Sequence, residues 1–131
     1  MIYFISGHRD LEYEDFKKYY IPTINRMIKE DENAEFIVGD CNGVDKFAMD
    51  YIFKNHKVPL TIYHMFDTPR NKPSGLGSSP ELEGVYFNGG YKSDIERDSA
   101  MTKASDLDIA FIKNGRWNSG TAQNIKRRYE I

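Results

Sequence analysis

Three short stretches of this chain combine small residues with polar side chains in a way that suits an anionic ligand. They are Ser6-Gly7-His8-Arg9-Asp10, Gly39-Asp40-Cys41-Asn42-Gly43 and Ser119-Gly120-Thr121. Each follows an apolar run and precedes a helical pattern, so its backbone N–H groups lack helical partners and lie at the positive end of a helix dipole. A phosphate group binds well at such a turn. Three of them in 131 residues therefore predict a site for a nucleotide-like ligand.

Two arginines are expected close to these turns. Arg9 lies inside the first one, where its planar guanidinium can grip a phosphate through two hydrogen bonds. An equally good interpretation makes Arg9 a surface residue that pairs with Asp10 or Glu14. Arg97 lies on a later helix and is expected at the same edge of the sheet. Together the two arginines would counter the charge of a phosphate.

The second turn carries a carboxylate, the chain's only cysteine and, just beyond it, a second carboxylate. Asp40 directly follows a strand, which is the usual position of an acceptor for ribose hydroxyls, and we favour it as a sugar contact. Asp45 is explained equally well as a first-turn helix residue that the dipole favours. Cys41 has no histidine and carboxylate partners nearby in the sequence, which disfavours a catalytic thiol. The histidines at positions 8, 56 and 64 lack the spacing of zinc ligands, so no metal site is expected, and only His8 is placed near a ligand.

Apolar periodicity predicts alternating strands and helices around these turns. Strands are expected at about residues 1–5, 36–38, 59–65 and 107–112, and helices at about 12–30, 44–52, 93–104 and 120–129. Pro22 should kink or restart the first helix near Ile21. The alternation predicts one α/β domain over residues 1–131, a small Rossmann-like three-layer sandwich with a mostly parallel sheet. The turns would then gather beyond the carboxyl ends of the strands, where open parallel sheets bind ligands.

One segment, at about residues 67–92, does not fit this alternation. It holds three of the five prolines and half of the ten glycines. Connections of that length are usually functional lids or irregular segments, so we expect a long loop or lid that closes over the ligand. Within it, the residues 85–91 suggest a small hairpin, because an Asn-Gly-Gly sequence follows a short apolar run.

Composition disfavours several classes of function. The net charge of −2 argues against broad attachment to nucleic acid or a membrane, and the cluster Lys126-Arg127-Arg128 is better explained as cations at a helix C-terminus. No apolar run approaches the roughly 20 residues that span a bilayer, and no leader opens the chain. A single cysteine excludes an internal disulfide. These features predict a cytoplasmic protein, and the 14% aromatic content suggests a homo-oligomer.

The motifs resemble those of the YspA-like branch of the SLOG superfamily. Ser6-Gly7-His8-Arg9-Asp10 is similar to that family's opening (T/S)-G-x-R-(D/E), and the segment 39–48 is similar to its G-x-x-x-G-x-D-x-x-A. Arg97, Met101, Ala104-Ser105-Asp106 and Ser119-Gly120-Thr121 follow its ending in order. The resemblance covers nearly the whole chain except residues 67–92. It implies a Rossmann-like fold whose glycine turns bind nucleotides or their derivatives, commonly in an oligomer.

A related branch, the LONELY GUY phosphoribohydrolases, cleaves the N-glycosidic bond of nucleoside 5′-monophosphates. Glu96-Arg97-Asp98-Ser99-Ala100-Met101 is similar to that branch's E-R-K-x-x-M, which implies a catalytic role for Arg97 if this protein is an enzyme. The branch's second motif, P-G-G-x-G-T-x-x-E, is broken here, because Arg116-Trp117-Asn118 replaces Pro-Gly-Gly and Asn124 replaces the glutamate. Since a neutral amide cannot activate a water, Asn124 argues against catalysis.

Three functions follow from these observations. The first is a module that senses or sequesters a nucleotide or a nucleotide-derived small molecule, with no cofactor. The second is an N-glycosidase acting on nucleoside 5′-monophosphates, with Arg97, Glu96 and Asp98 as catalytic candidates. The third, binding of single-stranded nucleic acid as in the related DprA proteins, is least favoured by the acidic charge. The expected ligand-binding residues are Ser6, Gly7, His8, Arg9, Gly39, Asp40, Asn42, Gly43, Arg97, Ser119, Gly120, Thr121 and Asn124.

Overall fold

Within residues 1–129, the part of the chain that the computed structural model describes, five strands form one parallel sheet. They are β1 (Ile2–Ser6), β2 (Glu35–Val38), β3 (Leu60–Met65), β4 (Val85–Tyr91) and β5 (Leu107–Ala110). The strand order is β4-β3-β2-β1-β5, and every neighbouring pair runs parallel. The predicted α/β class and Rossmann-like three-layer architecture are confirmed, with a fully parallel sheet.

Helices flank this sheet at positions close to those predicted. They are α1 (Tyr13–Tyr19), α2 (Ile21–Glu30), α3 (Val44–Asn55), α4 (Asp94–Ala104) and α5 (Gly120–Tyr129), with a short 3₁₀ turn at Pro80–Glu83. Pro22 lies in the first turn of α2, where the missing N–H would have no helical partner in any case. The helical conformation is interrupted at Tyr20, between α1 and α2. Ser93 begins α4 by accepting a hydrogen bond from the Glu96 amide at 3.1 Å.

Both faces of the central strands are buried. Tyr3 and Ile5 of β1 belong to the larger core, which they share with residues of α1, α2 and α3. Phe4 points to the opposite face, where it shares a smaller core with Met101 of α4. This burial on two sides explains why β1 reads as a continuous apolar run rather than as an alternating one.

The prediction of a hairpin within residues 67–92 is wrong. Residues 85–91 instead form the single edge strand β4, which pairs parallel to β3 with a register irregularity between Tyr63 and Met65. A Cβ atom on Gly89 would overlap the ring of His64 on the neighbouring strand. The glycine is therefore needed for close packing between two strands, and not for a reverse turn.

The preceding part of that segment, residues 66–79, is irregular but is anchored to the start of α3. The Lys46 ammonium donates to the Lys72 carbonyl at 2.7 Å, and the Ser74 amide donates to Asp50 at 2.8 Å. These contacts hold the segment against the protein surface. No helix among the described residues is both long and apolar enough to cross a membrane.

Candidate functional site

The strands β2, β3 and β4 follow one another on one side of β1, and β5 lies on the other side of β1. The strand order therefore reverses between β1 and β5, which makes this the topological switch point of the sheet. Ladder pairing between β1 and β5 ends at Ser6 and Ala110. Beyond that point the buried Tyr20 hydroxyl donates to the Ser6 carbonyl at 2.8 Å and accepts from the Phe111 amide at 2.9 Å. Tyr20 thus satisfies the backbone where the strands separate. A crevice at such a switch point is where open α/β sheets bind ligands.

A cleft of about 420 Å³ occupies this position. Gly7, Gly39 and Gly120 all line it, so the three turns do meet at one edge of the sheet. A Cβ on Gly7 would come within 2.6 Å of the Tyr20 hydroxyl, which explains why the first turn needs a glycine. The predicted site residues that line the cleft are Ser6, Gly7, His8, Arg9, Gly39, Arg97, Asp98, Gly120, Thr121 and Asn124.

Five other predicted residues, Asp40, Asn42, Gly43, Ser119 and Glu96, are not brought to the lining of the cleft. Two of them, Asn42 and Gly43, shape the second turn. Gly43 has a positive φ of 74°, and a Cβ there would run into the carbonyls of His8 and Arg9. The Asn42 side-chain oxygen accepts from the side-chain nitrogen of Asn71 at 3.1 Å. Both residues therefore pack the second turn against its neighbours.

Ser119 and Glu96 stabilise helix ends. The Ser119 hydroxyl accepts from the Ala122 amide at 3.2 Å, which is a capping contact at the start of α5. The Glu96 carboxylate accepts at 3.0 Å from the amide of Lys92, the residue before the N-cap Ser93, and so satisfies a backbone donor just ahead of α4. Neither residue lines the cleft, and Glu96 is exposed to solvent.

The Asp40 carboxylate is also hydrogen-bonded within the protein. Its partner, Arg70, was not predicted from the sequence. The Arg70 amide donates to one carboxylate oxygen of Asp40 at 2.7 Å, and its guanidinium donates to the other at 2.8 Å. Burial alone would raise the pKa of Asp40, but the hydrogen bonds from Arg70 hold it below its usual value. An arginine inside a proline-rich irregular segment carries no local signal of this role, because the contact spans 30 residues of sequence.

Arg97 lies at the inner end of the cleft, and its side chain is only 5% exposed. It donates to Asp40 at 2.9 Å, and its Nε and Nη2 atoms donate to one oxygen of Asp98 at 3.1 and 2.9 Å. Its Nη1 also lies 3.3 Å from Asp94. Burial lowers the pKa of Arg97, but the surrounding carboxylates, Asp98 foremost, raise it above the ordinary arginine value. Its donors are thus already engaged by carboxylates.

Asp45 was also left out of the predicted site, and the structure places it both in the first turn of α3 and on the wall of the cleft. It is 7% exposed and accepts a hydrogen bond from the Cys41 amide at 3.1 Å. Burial raises its pKa to about 6. A Cβ on Gly39 would lie 2.6 Å from the Asp45 carboxylate and 2.9 Å from the Arg97 guanidinium carbon, so only glycine leaves both groups room.

The mouth of the cleft carries the accessible cations. Arg9 has a 58% exposed side chain and pairs with Asp94 at 3.0 Å, rather than with Asp10 or Glu14. Arg116, 42% exposed, makes two hydrogen bonds of 2.7 Å to Asp10, and these lower the Asp10 pKa to about 2. The amides of the first two residues of α5, which also line the cleft, have no hydrogen-bond acceptor among residues 1–129.

His8 and Cys41 line the cleft without being activated. The His8 Nε2 accepts from the Lys113 amide at 2.9 Å, so the ring carries its proton on Nδ1, and burial lowers its pKa. Burial also raises the pKa of the Cys41 thiol, which keeps it protonated and unreactive. Within residues 1–129, no three His, Cys, Asp or Glu side chains lie together in a way that suits a metal ion.

The charge of the cleft is therefore mixed. Three arginines and four aspartates line it, namely Arg9, Arg97, Arg116, Asp10, Asp45, Asp94 and Asp98. Arg9 is exposed at the mouth, whereas the donors of the buried Arg97 are engaged by Asp40 and Asp98. Available cations lie at the mouth, and carboxylates dominate the inner wall.

No protein-family model matches this sequence, and no curated protein or solved structure matches it either. Any function has to be inferred from the residues and the geometry of the cleft itself.

Proposed function

We propose that this protein is a SLOG-type module that binds a nucleotide or a nucleotide-derived small molecule in the cleft, and that it senses or sequesters that molecule. The observation that carries the proposal is the meeting of three glycine turns at the switch point between β1 and β5. The volume of about 420 Å³ falls within the usual range for small-molecule sites. Residues of all the resemblance motifs, including Gly7, Asp45, Arg97 and Thr121, line this one cleft.

The mouth of the cleft is suited to the phosphate. The free amides of Gly120 and Thr121 lie at the positive end of the α5 dipole, and α5 is ten residues long. Arg9 and Arg116 flank the opening and are accessible enough to exchange an aspartate partner for a phosphate oxygen. The sugar and the base would then occupy the remaining volume.

Calorimetric titration with a nucleotide panel tests this proposal. The panel includes nucleoside monophosphates, cyclic nucleotides and ADP-ribose, and we expect at least one to bind with a one-to-one stoichiometry. Arg9→Gln should weaken that binding about tenfold or more, because a charge-assisted hydrogen bond is worth about 1.5–3 kcal/mol. Arg26→Gln is the matched control, since Arg26 is exposed on α2 and does not line the cleft. Absence of binding across the panel would refute the proposal.

Hydrolysis of an N-glycosidic bond is the second candidate, and Asp45 is the observation in its favour. A buried carboxyl with a pKa of about 6 is suited to exchanging a proton near neutral pH, which Asn124 cannot do. In this reaction the oxygen of water bonds to the anomeric carbon, the bond from that carbon to the base nitrogen breaks, and the proton that water loses ends on the leaving base. Chromatography of nucleoside monophosphates incubated with the protein measures the free base. Release that Asp45→Asn and Arg97→Ala both abolish would establish the activity, and no release from any monophosphate would exclude it.

Binding of nucleic acid finds less support. Within the basic cluster of α5, Arg128 is bound to Asp108 at 2.7 Å, and Arg127 donates to the side chain of Asn124 at 2.8 Å. These two cations are thus used inside the protein.

A further inference from the structure

The inner wall of the cleft holds a group of polar atoms without partners. The Ser6 hydroxyl is fully buried and makes no hydrogen bond. Among the described residues, no hydrogen-bond partner is found for the Thr121 hydroxyl, the Asn124 side-chain nitrogen, or the second carboxylate oxygens of Asp45 and Asp98, although of this group only the Ser6 oxygen is a fully buried atom. All five residues line the cleft, and all except Asp98 are more than nine-tenths buried. Since the unpaired atoms other than the Ser6 oxygen are not fully buried, they are open to the cleft, and this wall is suited to a polar ligand that can pair with them.

The chemistry of these atoms excludes an anion. Of the described residues that line the inner end, the cation is Arg97, and its guanidinium already donates to Asp40 and Asp98. The free oxygens of Asp45 and Asp98 would repel a phosphate placed beside them. They accept hydrogen bonds, whereas the Asn124 amide donates one and the Ser6 and Thr121 hydroxyls can do either. Neighbouring hydroxyl groups on a neutral ring, each able to donate and accept, match this set.

A nucleobase matches it less well, because a base is normally held by a flat apolar surface. The aromatic residues among those lining the cleft are Phe4 and His8. Phe4 is 1% exposed and packs into the core beneath β1, and His8 is fixed by the Lys113 amide. Neither ring is presented as a platform on which a base could stack.

We propose that this inner wall is a ribose subsite, in which Asp45 and Asp98 accept hydrogen bonds from the 2′ and 3′ hydroxyls and Asn124 donates one to them. This inference rests on the proposed function, since it specifies the sugar of the bound nucleotide. The phosphate of such a ligand lies toward the α5 amides and Arg9, and the base lies toward the open side. The protein then selects ribonucleotides over deoxyribonucleotides.

Paired titrations test the selection. The probes are AMP, GMP, CMP and UMP, each compared with its 2′-deoxy counterpart, together with ribose 5-phosphate. We expect every ribonucleotide that binds to do so at least about tenfold more tightly than its deoxy form, because a missing hydroxyl leaves buried groups unpaired. Equal affinity for the two sugars would overturn the ribose subsite and leave the proposed function standing. If none of these probes binds, and cyclic nucleotides and ADP-ribose do not bind either, both the ribose subsite and the proposed function are overturned.

The Asp45→Asn variant tests whether Asp45 contributes to the preference for ribose over deoxyribose. This change keeps the size of the side chain and its hydrogen bond from the Cys41 amide, but replaces one carboxylate acceptor. The ratio of ribo to deoxy affinity should fall severalfold in this variant. Asp15→Asn is the control, because Asp15 is exposed on α1 and does not line the cleft. An unchanged ratio in Asp45→Asn would remove Asp45 from the subsite, and a ratio that also falls in Asp15→Asn would show that net charge is responsible.

Discussion

Tyr20→Phe isolates the hydroxyl that joins the separating ends of β1 and β5. The substitution keeps the ring, which is fully buried and stacks on Phe16 at a centroid distance of 5.4 Å. It removes one hydrogen bond to the Ser6 carbonyl and one from the Phe111 amide. Both backbone groups then lose the partner that satisfies them where the sheet ladder has ended.

The expected cost is large for the loss of one atom. A buried backbone group left unpaired costs about 1–3 kcal/mol, and the partly buried Phe111 amide costs less than the buried Ser6 carbonyl, so we expect the free energy of unfolding to fall by roughly 2–4 kcal/mol. That is a substantial part of the roughly 5–15 kcal/mol that stabilises an ordinary domain. For a chain of this size it corresponds to a decrease in Tm of roughly 6–15 °C.

Urea denaturation followed by circular dichroism measures this change, with Tyr51→Phe as the control. The Tyr51 hydroxyl donates to the Asn25 side chain at 2.7 Å in an exposed position, where water replaces the lost bond. Its removal should cost less than about 1 kcal/mol. If the two variants unfold at the same urea concentration, the Tyr20 hydroxyl does not stabilise the point where the strands separate, and our account of the cleft is wrong.

Four further outcomes are expected. Gly39→Ala should destabilise the protein by about 1–3 kcal/mol in urea denaturation, since the new methyl group meets Arg97 and Asp45. Gly89→Ala should have a similar cost, because its methyl group overlaps the His64 ring. Asp45→Asn should raise the free energy of unfolding at pH 7.5 by roughly 2–3 kcal/mol but leave it nearly unchanged at pH 4. Light scattering on the purified protein should give a mass above that of one 15.2 kDa chain, and the mass of a single chain would contradict the predicted self-association.

The sign of the Asp45 effect follows from its raised pKa. The folded protein holds this proton more tightly than the unfolded chain, whose carboxyl titrates near 3.8, so the contribution to stability is complete below pH 4 and is lost as the pH rises through about 6. An asparagine cannot ionise and avoids that loss. Equal stability of the two proteins at pH 7.5 would contradict the burial of a charge at this position.

For the glycine variants, Gly120→Ala is the control, because no atom lies within 4 Å of the added carbon.

Local patterns were enough to predict the alternating elements and the meeting of the three turns. An apolar run such as that of β1, or a small-residue turn before a helix, depends on nearby residues and therefore leaves a signal in the sequence. The strand β4 could not be found in this way, because Gly89 is explained by the His64 ring on another strand and locally resembles a turn. Arg70 was missed for the same reason, since its contact with Asp40 depends on how the whole segment folds back.

The sequence also could not show which of the two carboxylates, Asp40 or Asp45, lies beside the cleft. Asp40 and Asp45 are five positions apart around one turn, and the position of Asp40 after a strand favoured Asp40 as the ligand contact. Two arginines from distant segments bind Asp40, whereas the packing over Gly39 leaves Asp45 beside the cleft. Which carboxylate faces a ligand is decided by these long-range partners.

The glycines of β4 also affect how the sheet meets other molecules. An edge strand exposes unpaired backbone groups on which a foreign strand can assemble, and this is a common start of aggregation. The second half of β4 reads Asn88-Gly89-Gly90, and Gly90 has a φ of 90°, far from the extended value. An incoming strand would find neither a regular row of donors and acceptors nor apolar side chains to pack against there. The stretch in which Gly89 fits β4 to its inner neighbour therefore also makes the outer side of β4 a poor template for fibril growth.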